Sequence, residues 1–334
     1  MKNHLIYFIL FSFGNFIYAQ STKDILFIGN SYTYYNNLPN LIKEMAQLNG
    51  NDLFHESHTP GSSNFSQHAS NSNVLSLLNS QEWDIVVLQE QSVRPARPPL
   101  EVETQVYPYA EQLCLNIELL NESAIPMFYM TWGRENGLQS YCNYYSPFCT
   151  YEGMQQRLIE SYNYMAEVNN AELAPVGVIW QAFRESNPEI SLYTSDESHP
   201  SIAGSYLASI VFYCLIFQDI PENIYYPQGL NNINTEDIFN FVTNAMQPSI
   251  NQMICDDIYI NLDNGWNIIS FHCNENLSAV DAFSEISQDL VIVKDILGNA
   301  YLPNINFNGI GNLEKGFGYM IKLSQEINNF NICQ

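Results

Sequence analysis

Apolar residues are distributed along this chain in two alternating patterns. Short unbroken runs stand at 25–28 (Ile25, Leu26, Phe27, Ile28), around Leu53 and Phe54, and at 84–88, 125–129 and 176–180. Runs of four or five residues that are apolar at both parities suit strands buried on both faces. Between the runs, apolar residues recur every three or four positions, as in Leu38, Leu41, Ile42 and Met45, and again over 74–78, 102–120, 154–168 and 202–217. That spacing lines one face of a helix. Pro39 suits a first helical turn, and Asn49-Gly50 closes the first of these segments. Strands alternating with helices predict an α/β domain with a mostly parallel central sheet covered on both faces.

After about residue 225 the pattern changes, with more Asn, Asp, Ile and Pro. A last helix is predicted over 236–246, and beyond Cys255 the chain breaks into short β-type runs at 258–260, 266–271, 290–294 and 318–322. Residues 289–293 followed by 297–301 predict a hairpin. The division expected is therefore 21–250 for the α/β domain and 251–334 for a small β-rich module. Trp266, Phe317 and Tyr319 suit either a glycan-stacking platform or the core of the module, and the need for an inward face favours core.

The first residues are patterned differently again. A basic start at Lys2, an apolar core over 5–13 and Ala19 before Gln20 predict a secretory signal peptide over 1–20, with a retained membrane anchor as the alternative. The apolar core is short of the roughly 20 residues a membrane span requires. No other stretch is long and apolar enough, so the mature chain is expected to lack a membrane span and to be secreted, periplasmic or at the cell surface. Export changes how the seven cysteines are read. Cys142 and Cys149 flank a turn-rich hexapeptide and predict a disulfide that staples a loop. Cys114 and Cys214 lie in helical patterns and predict buried thiols. Of Cys255, Cys273 and Cys333, one must stay unpaired, and Cys255 with Cys333 is the expected bridge. No C-x-x-C spacing points to structural zinc.

With 334 residues, 46% of them hydrophobic and 14% charged, the chain has length for one large domain and a small one. Its formal net charge of −24 argues against nucleic acid and anionic membranes as partners. The 22 tyrosines suit stacking on sugar rings, and equally an unliganded extracellular surface. His55 and His58 have opposite parity on a strand and should diverge, so these two and His68 are expected in solvent rather than on a metal.

Candidate chemistry gathers at the end of the first apolar run, at Gly29-Asn30-Ser31. A serine in a strand-turn-helix junction stands at the carboxyl end of a strand and beside a helix amino terminus, where crevices open and N–H groups meet negative charge. Phosphate binding or a plain turn is the competing reading. Far downstream, Asp196 lies three residues ahead of His199 in a loop that enters the helical segment 202–217. That spacing lets the carboxylate hold one imidazole nitrogen while the other faces a serine, the arrangement Ser-His-Asp catalysis requires. The simpler alternative is a helix cap with the histidine exposed.

Four ordered blocks resemble SGNH (GDSL-type) hydrolases: G-N-S-Y-T at 29–33, the glycine of T-P-G-S-S at 59–63, the polar end of the strand at 85–88, and D-x-x-H at 196–199. The resemblance spans roughly 23–217. It implies a three-layer flavodoxin-like sandwich, ester hydrolysis without cofactor or metal, Ser31 as nucleophile, His199 as general base and Asp196 as its orienting partner. It also implies oxyanion donation by the N–H groups of Ser31 and Gly61. One block departs from the family pattern. Where the family commonly carries an oxyanion-donating Asn in G-x-N-D, this chain reads Gln89-Glu90-Gln91-Ser92; alignment puts Gln91 on that Asn, with Gln89 as the alternate. Such a donor is worth about 10²–10³ in rate.

T-W-G-R at 131–134, followed by the cysteine-bracketed loop and Y-E-G-M-Q at 151–155, is similar to a bacterial subset of the same family. Trp132 and Arg134 are candidate pocket residues there, with Asn30. Arg134 suits either a substrate carboxylate or an ion pair with a neighbouring acid. G-W-N-I-I-S and G-F-G-Y-M-I-K in the tail resemble a small β module appended to secreted bacterial proteins. The function expected is a secreted esterase that removes short acyl groups such as acetyl from carbohydrate, the module having a possible role in glycan contact. The alternatives are a lipid esterase or acyltransferase of the same fold, or a non-catalytic glycan-binding protein.

Overall fold

The computed structural model describes residues 22–256, 259–271, 273 and 276–333, for 251–256 the backbone alone. The leader expected at 1–20 lies outside the described residues. Five parallel strands form the larger sheet: β1 Thr22–Ile28, β2 Asp52–His58, β3 Ile85–Leu88, β4 Ile125–Tyr129 and β5 Glu172–Ala174. Their order is β2-β1-β3-β4-β5, with every neighbouring pair parallel. This is the doubly wound, flavodoxin-like order, whose direction of winding reverses between β1 and β3 and opens a crevice at the carboxyl ends there.

Alternation along β1 builds the three layers. Ile25 and Phe27 face a core shared with the helices Leu38–Leu48, Val176–Ser186, Ile202–Phe217 and Asn232–Asp256, whereas Leu26 and Ile28 face one shared with Ser72–Leu78, Tyr107–Leu120 and Tyr151–Val168. The helix Ile202–Phe217 has no polar face, and residues 203–216 are buried throughout. It lies between two helices, Leu38–Leu48 and Asn232–Asp256, as well as against the sheet side of the core. At Gly204 an added Cβ would stand 2.4 Å from the Leu192 carbonyl and 2.4 Å from the Trp180 ring. Gly204→Ala is therefore expected to cost about 1–3 kcal/mol through overpacking, read as a lower midpoint in urea unfolding.

Three boundaries differ from the periodicity. The run 176–180 is helical, within Val176–Ser186, and the fifth strand is the short Glu172–Ala174 before it. Val176, Ile179, Trp180 and Phe183 are buried at helical spacing, and a short apolar run alone does not separate strand from helix. The segment 102–120 is broken: Pro99–Gln105 ends before Val106, and Tyr107–Leu120 starts anew with Pro108 in its first turn, where the missing N–H costs nothing. The last helix extends to Asn232–Asp256, carries Pro248 inside it and runs past residue 250.

The tail holds an antiparallel sheet of Phe307–Asn308, Ala300–Leu302, Leu290–Lys294, Gly318–Leu323 and Gly265–Ser270, in that order, and a separate pair of Ile260–Leu262 with Ile327–Phe330. Its hairpin pairs Val293 with Tyr301, as the sequence predicts. Tyr319 belongs to the module's own core, but Trp266 and Phe317 are 49% and 46% exposed, so the core expectation fails for those two. Trp266 lies across from Lys322 in the ladder, on the outward parity of its strand.

Cys142 bonds to Cys149, and Cys273 to Cys333. The second bridge replaces the expected Cys255–Cys333, because Cys273 and Cys333 both belong to the module's core, whereas residue 255 lies on the long preceding helix. Cys114 and Cys214 are buried free thiols that burial pushes up to about 12. Among the described residues, no helix is long and apolar enough to cross a membrane.

Candidate active site

The turn after β1 is built so that Ser31 opens a one-turn helix, Ser31–Tyr34. Gly29 is required there, since a Cβ would stand 2.6 Å from Thr33 Oγ1 and 2.7 Å from Gln89 Oε1. Its N–H donates to the His58 carbonyl at 3.1 Å and its carbonyl accepts from His68 Nε2 at 2.9 Å. Asn30 caps the short helix through Tyr32 N–H (3.1 Å) and donates from Nδ2 to the Ser63 carbonyl at 2.8 Å. It is 1% exposed. Asn30 is thus not a pocket residue as expected, but a tie between the serine turn and the loop that carries Gly61.

The structure brings Ser31 and His199 together across 168 positions, with Ser31 Oγ 2.8 Å from His199 Nε2. The other ring nitrogen, Nδ1, is hydrogen-bonded to Asp196 Oδ2. With Nδ1–H donating to the carboxylate, Nε2 is left to accept from the Ser31 hydroxyl. Asp196 Oδ1 accepts from Thr194 Oγ1 (2.8 Å), Ser198 N–H (3.0 Å) and His199 N–H (2.9 Å). Burial pushes this carboxyl up, but the hydrogen bonds from His199, Thr194 and Ser198 outweigh it and hold Asp196 well below the usual carboxylate range. Glu197 takes a left-handed conformation (φ 59°), and its carbonyl accepts from Glu135 N–H at 3.0 Å, which pins the loop to the segment that follows β4.

Three residues to which sequence reasoning gave no role hold this pair in place. Tyr35 stacks on the His199 ring at 4.2 Å and 12°. Tyr32 OH shares a 2.7 Å hydrogen bond with Ser198 Oγ, and Asn36 Nδ2 donates to the Pro200 carbonyl at 3.0 Å. Their only signal in the sequence is adjacency to Ser31 and His199. Trp132 lies behind them, 1% exposed, stacked on Trp180 at 3.7 Å and donating to the Ser198 carbonyl at 3.1 Å. It therefore backs the histidine loop instead of walling a pocket.

Ser31 N–H, at the first position of its helix, and Gly61 N–H, in an exposed turn, are taken up by no hydrogen bond among the described residues. The two glutamines differ. Gln89 is fully buried, its Oε1 accepting from Asn30 N–H (2.9 Å) and Thr33 Oγ1 (3.0 Å) and its Nε2 donating to the Glu90 carbonyl. That carboxamide is spent on the turn and is not a free donor. Gln91 Oε1 accepts from Val93 and Arg94 N–H, and its Nε2 has only a long 3.5 Å contact with Ser92 Oγ. Gln91 lines a cavity of about 570 Å³ at the carboxyl edge of the sheet, together with Arg134.

Arg134 has no carboxylate within ion-pair distance among the described residues, and its Nε is buried without a hydrogen-bond partner. The ion-pair alternative for it is not realised. Nor are all three histidines solvated: His68 is 1% exposed, with burial lowering it to about 4, and its ring meets that of His58 edge-on at 5.6 Å. The hydrogen bond to the Gly29 carbonyl is what keeps it inside, since a buried donor needs an acceptor. Among the described residues, no group of three or more His, Cys, Asp or Glu is placed to hold a metal ion.

No known family profile matches this chain, and no curated protein matches it in sequence. Among solved structures, a DUF4886 family protein from Bacteroides uniformis superposes with a TM-score of 0.59 at 17% identity, over 69% of this chain and 96% of that one. The two proteins share one fold. A candidate SGNH hydrolase from Slackia heliotrinireducens superposes at 0.48 with 26% identity, over 58% and 98% of the two chains. An acetyl xylan esterase from Geobacillus stearothermophilus does so at 0.40 with 17% identity, over 59% and 95%.

Within this fold the end of β3 carries a further acid that the sequence did not flag. Glu90 is fully buried, accepts Phe65 N–H at 3.1 Å and Gln91 N–H, and lies 3.8 Å from Arg94 Nε. It thereby ties the loop after Gly61 to the strand end that bears Gln91. Burial pushes its carboxyl up to about 7 against the pull of those hydrogen bonds and of Arg94. A carboxyl raised in the fold binds its proton more tightly there than when unfolded, so stability is lost as pH rises from about 4.5 to about 7 and is level above. At 1.36 kcal/mol per unit the loss is about 3 kcal/mol. His68, lowered to about 4, changes stability in the opposite direction over the same interval, so the loss is read as a difference: between urea titrations at pH 4.5 and 7.5 the wild type should lose about 3 kcal/mol relative to Glu90→Gln.

Proposed function

We propose that this chain is an SGNH-type serine ester hydrolase, and that it removes short acyl groups such as acetyl from carbohydrate. The observation that carries the reading is the continuous hydrogen-bonded line from Ser31 Oγ through the His199 ring to Asp196, at the carboxyl edge of a parallel sheet. Ser31 Oγ attacks the ester carbonyl while His199 Nε2 takes its proton, giving a tetrahedral intermediate. The N–H groups of Ser31 and Gly61 receive the oxyanion, with Gln91 Nε2 as the third donor. His199 then returns the proton to the departing alcohol. Water attacks the acyl-serine, again giving a proton to His199, and release of the acid restores the Ser31 hydroxyl. Asp196 keeps Nδ1 protonated throughout, so that Nε2 is the basic nitrogen.

Two disulfides and the leader-like start favour action outside the cytoplasm. The half-exposed Trp266, with Lys294 and Lys322 ammonium groups 5.9 and 5.8 Å from its ring, favours a glycan-contacting role for the 251–334 module. Turnover of p-nitrophenyl acetate in preference to long-chain esters tests the short-acyl reading. Product analysis with added sugar acceptor separates hydrolysis from acyl transfer. Retention on a glycan column without ester turnover would replace the enzyme with a binding protein.

A further inference from the structure

Beside the proposed site lies a cavity of about 570 Å³ whose charge runs against that of the chain. The protein has 35 acidic residues and 11 basic ones, yet Arg94, Arg97 and Arg134 all line this one cavity, with Glu101 as the acid among its walls. Arg97 is paired with Glu101 at 3.4 Å, and Arg94 stands 3.8 Å from buried Glu90. Arg134, half-buried and unpaired, is the guanidinium left over.

Two walls of the cavity are tied to the neighbours of the triad residues. Ser62 and Asn64 in its wall flank Ser63, whose carbonyl is bonded to Asn30 beside the nucleophile. On the other side, the residue after Arg134 donates its N–H to Glu197 in the histidine loop. Tyr141 and Tyr144, both more than half exposed, add ring faces at the rim, and the Tyr144 hydroxyl bonds to Glu101 across the opening. An ester seated at Ser31 would extend its alcohol or acyl portion into this space.

We infer that the substrate of this site is an anionic ester, and that Arg134 binds a carboxylate or sulfate group on the portion that fills the arginine-lined cavity. A guanidinium offers a planar fork that meets two oxygens of one anion, and such a charge-assisted bond is stronger than a neutral one. With acids so abundant in the chain, an arginine that none of the described ones neutralises is available to a ligand. The inference rests on the hydrolase reading of Ser31 and names the class of substrate that reading leaves open.

The test compares matched esters. On the alcohol side these are 4-acetoxybenzoate and 4-acetoxybenzenesulfonate against neutral 4-acetoxybenzamide; on the acyl side, p-nitrophenyl hemiglutarate against p-nitrophenyl valerate. Each kcat/KM is divided by the ester's own hydroxide-catalysed rate. The wild type is expected to favour the charged member of at least one pair by about tenfold or more. The preference should shrink with added NaCl, fall to near one in Arg134→Gln, and survive in part in Arg134→Lys, which keeps charge but loses the fork. The carboxylate and sulfonate arms tell which oxyanion is preferred. Ser31-dependent turnover with no charged preference in either pair overturns the inference and leaves the hydrolase reading standing. So does a preference that Arg134→Gln retains. Should that variant fail to fold, inhibition of wild-type 4-acetoxybenzamide turnover by benzoate decides: competition supports the inference and its absence overturns it. A wild type that cleaves none of the esters removes the hydrolase reading and this one together.

Discussion

Ester turnover in the Ser31→Ala variant should fall by a factor on the order of 10⁴–10⁶, and labelling by a fluorophosphonate probe should vanish. The hydroxyl makes its hydrogen bond to His199, in a residue that is 9% exposed, so its removal deletes the proposed attacking atom and little packing. The helix Ser31–Tyr34, its Asn30 cap and the Tyr32–Ser198 bond all remain, and the variant should unfold at nearly the wild-type urea midpoint. What turnover is left would come from the N–H groups of Ser31 and Gly61 acting on water. Phosphonylation of the variant at the wild-type rate would place the activated nucleophile elsewhere in the molecule. An intact, unlabelled wild type would turn attention to glycan binding.

Asp196→Asn is expected to lower kcat by roughly 10²–10⁴ with a smaller change in KM. The carbonyl of the asparagine can still accept from Thr194, Ser198 and His199 N–H, as Oδ1 does in the wild type. Its NH₂ then faces His199 Nδ1, so that nitrogen must accept and the ring proton moves to Nε2. A protonated Nε2 in the neutral ring cannot take the proton of Ser31. Because Asp196 is held below the usual carboxylate range, whatever stability its ionised form adds is present above about pH 4 and is lost as pH falls further. Acid unfolding of the asparagine variant should therefore lack that contribution. Equal kcat values for wild type and variant at pH 7 would mean that the carboxylate neither orients nor charges the ring.

Both expectations start from residues that are legible in the chain itself. Ser31 follows an apolar run that ends in a glycine, and His199 follows Asp196 by three places ahead of an apolar helix. Local rules suffice for such pairs, because a loop that short leaves a carboxylate within reach of the imidazole whatever the rest of the chain does. The wall of the cavity is a different matter. Arg94 and Arg97 come from the connection after β3, Arg134 and Tyr144 from the one after β4, and no spacing rule relates the two.

Apolar periodicity by itself determined the alternation of strand and helix, the parallel sheet and the separate β-rich tail, since burial on two faces or on one is written in every second or every third-to-fourth residue. Which serine, histidine and aspartate to watch came from the turn after the first strand, the Asp-to-His spacing and the resemblance to a known family. Tertiary structure alone decided that 176–180 coils into a helix, that Asn30, Gln89 and Trp132 support the site from inside, that His68 is buried, and that Cys333 pairs with Cys273. Each of these depends on which groups meet across a sheet or between loops, and a polar side chain takes its role from the partner it reaches, often more than fifty residues away. Sequence neighbours do not specify that partner, because contact between distant segments exists only once the layers have packed.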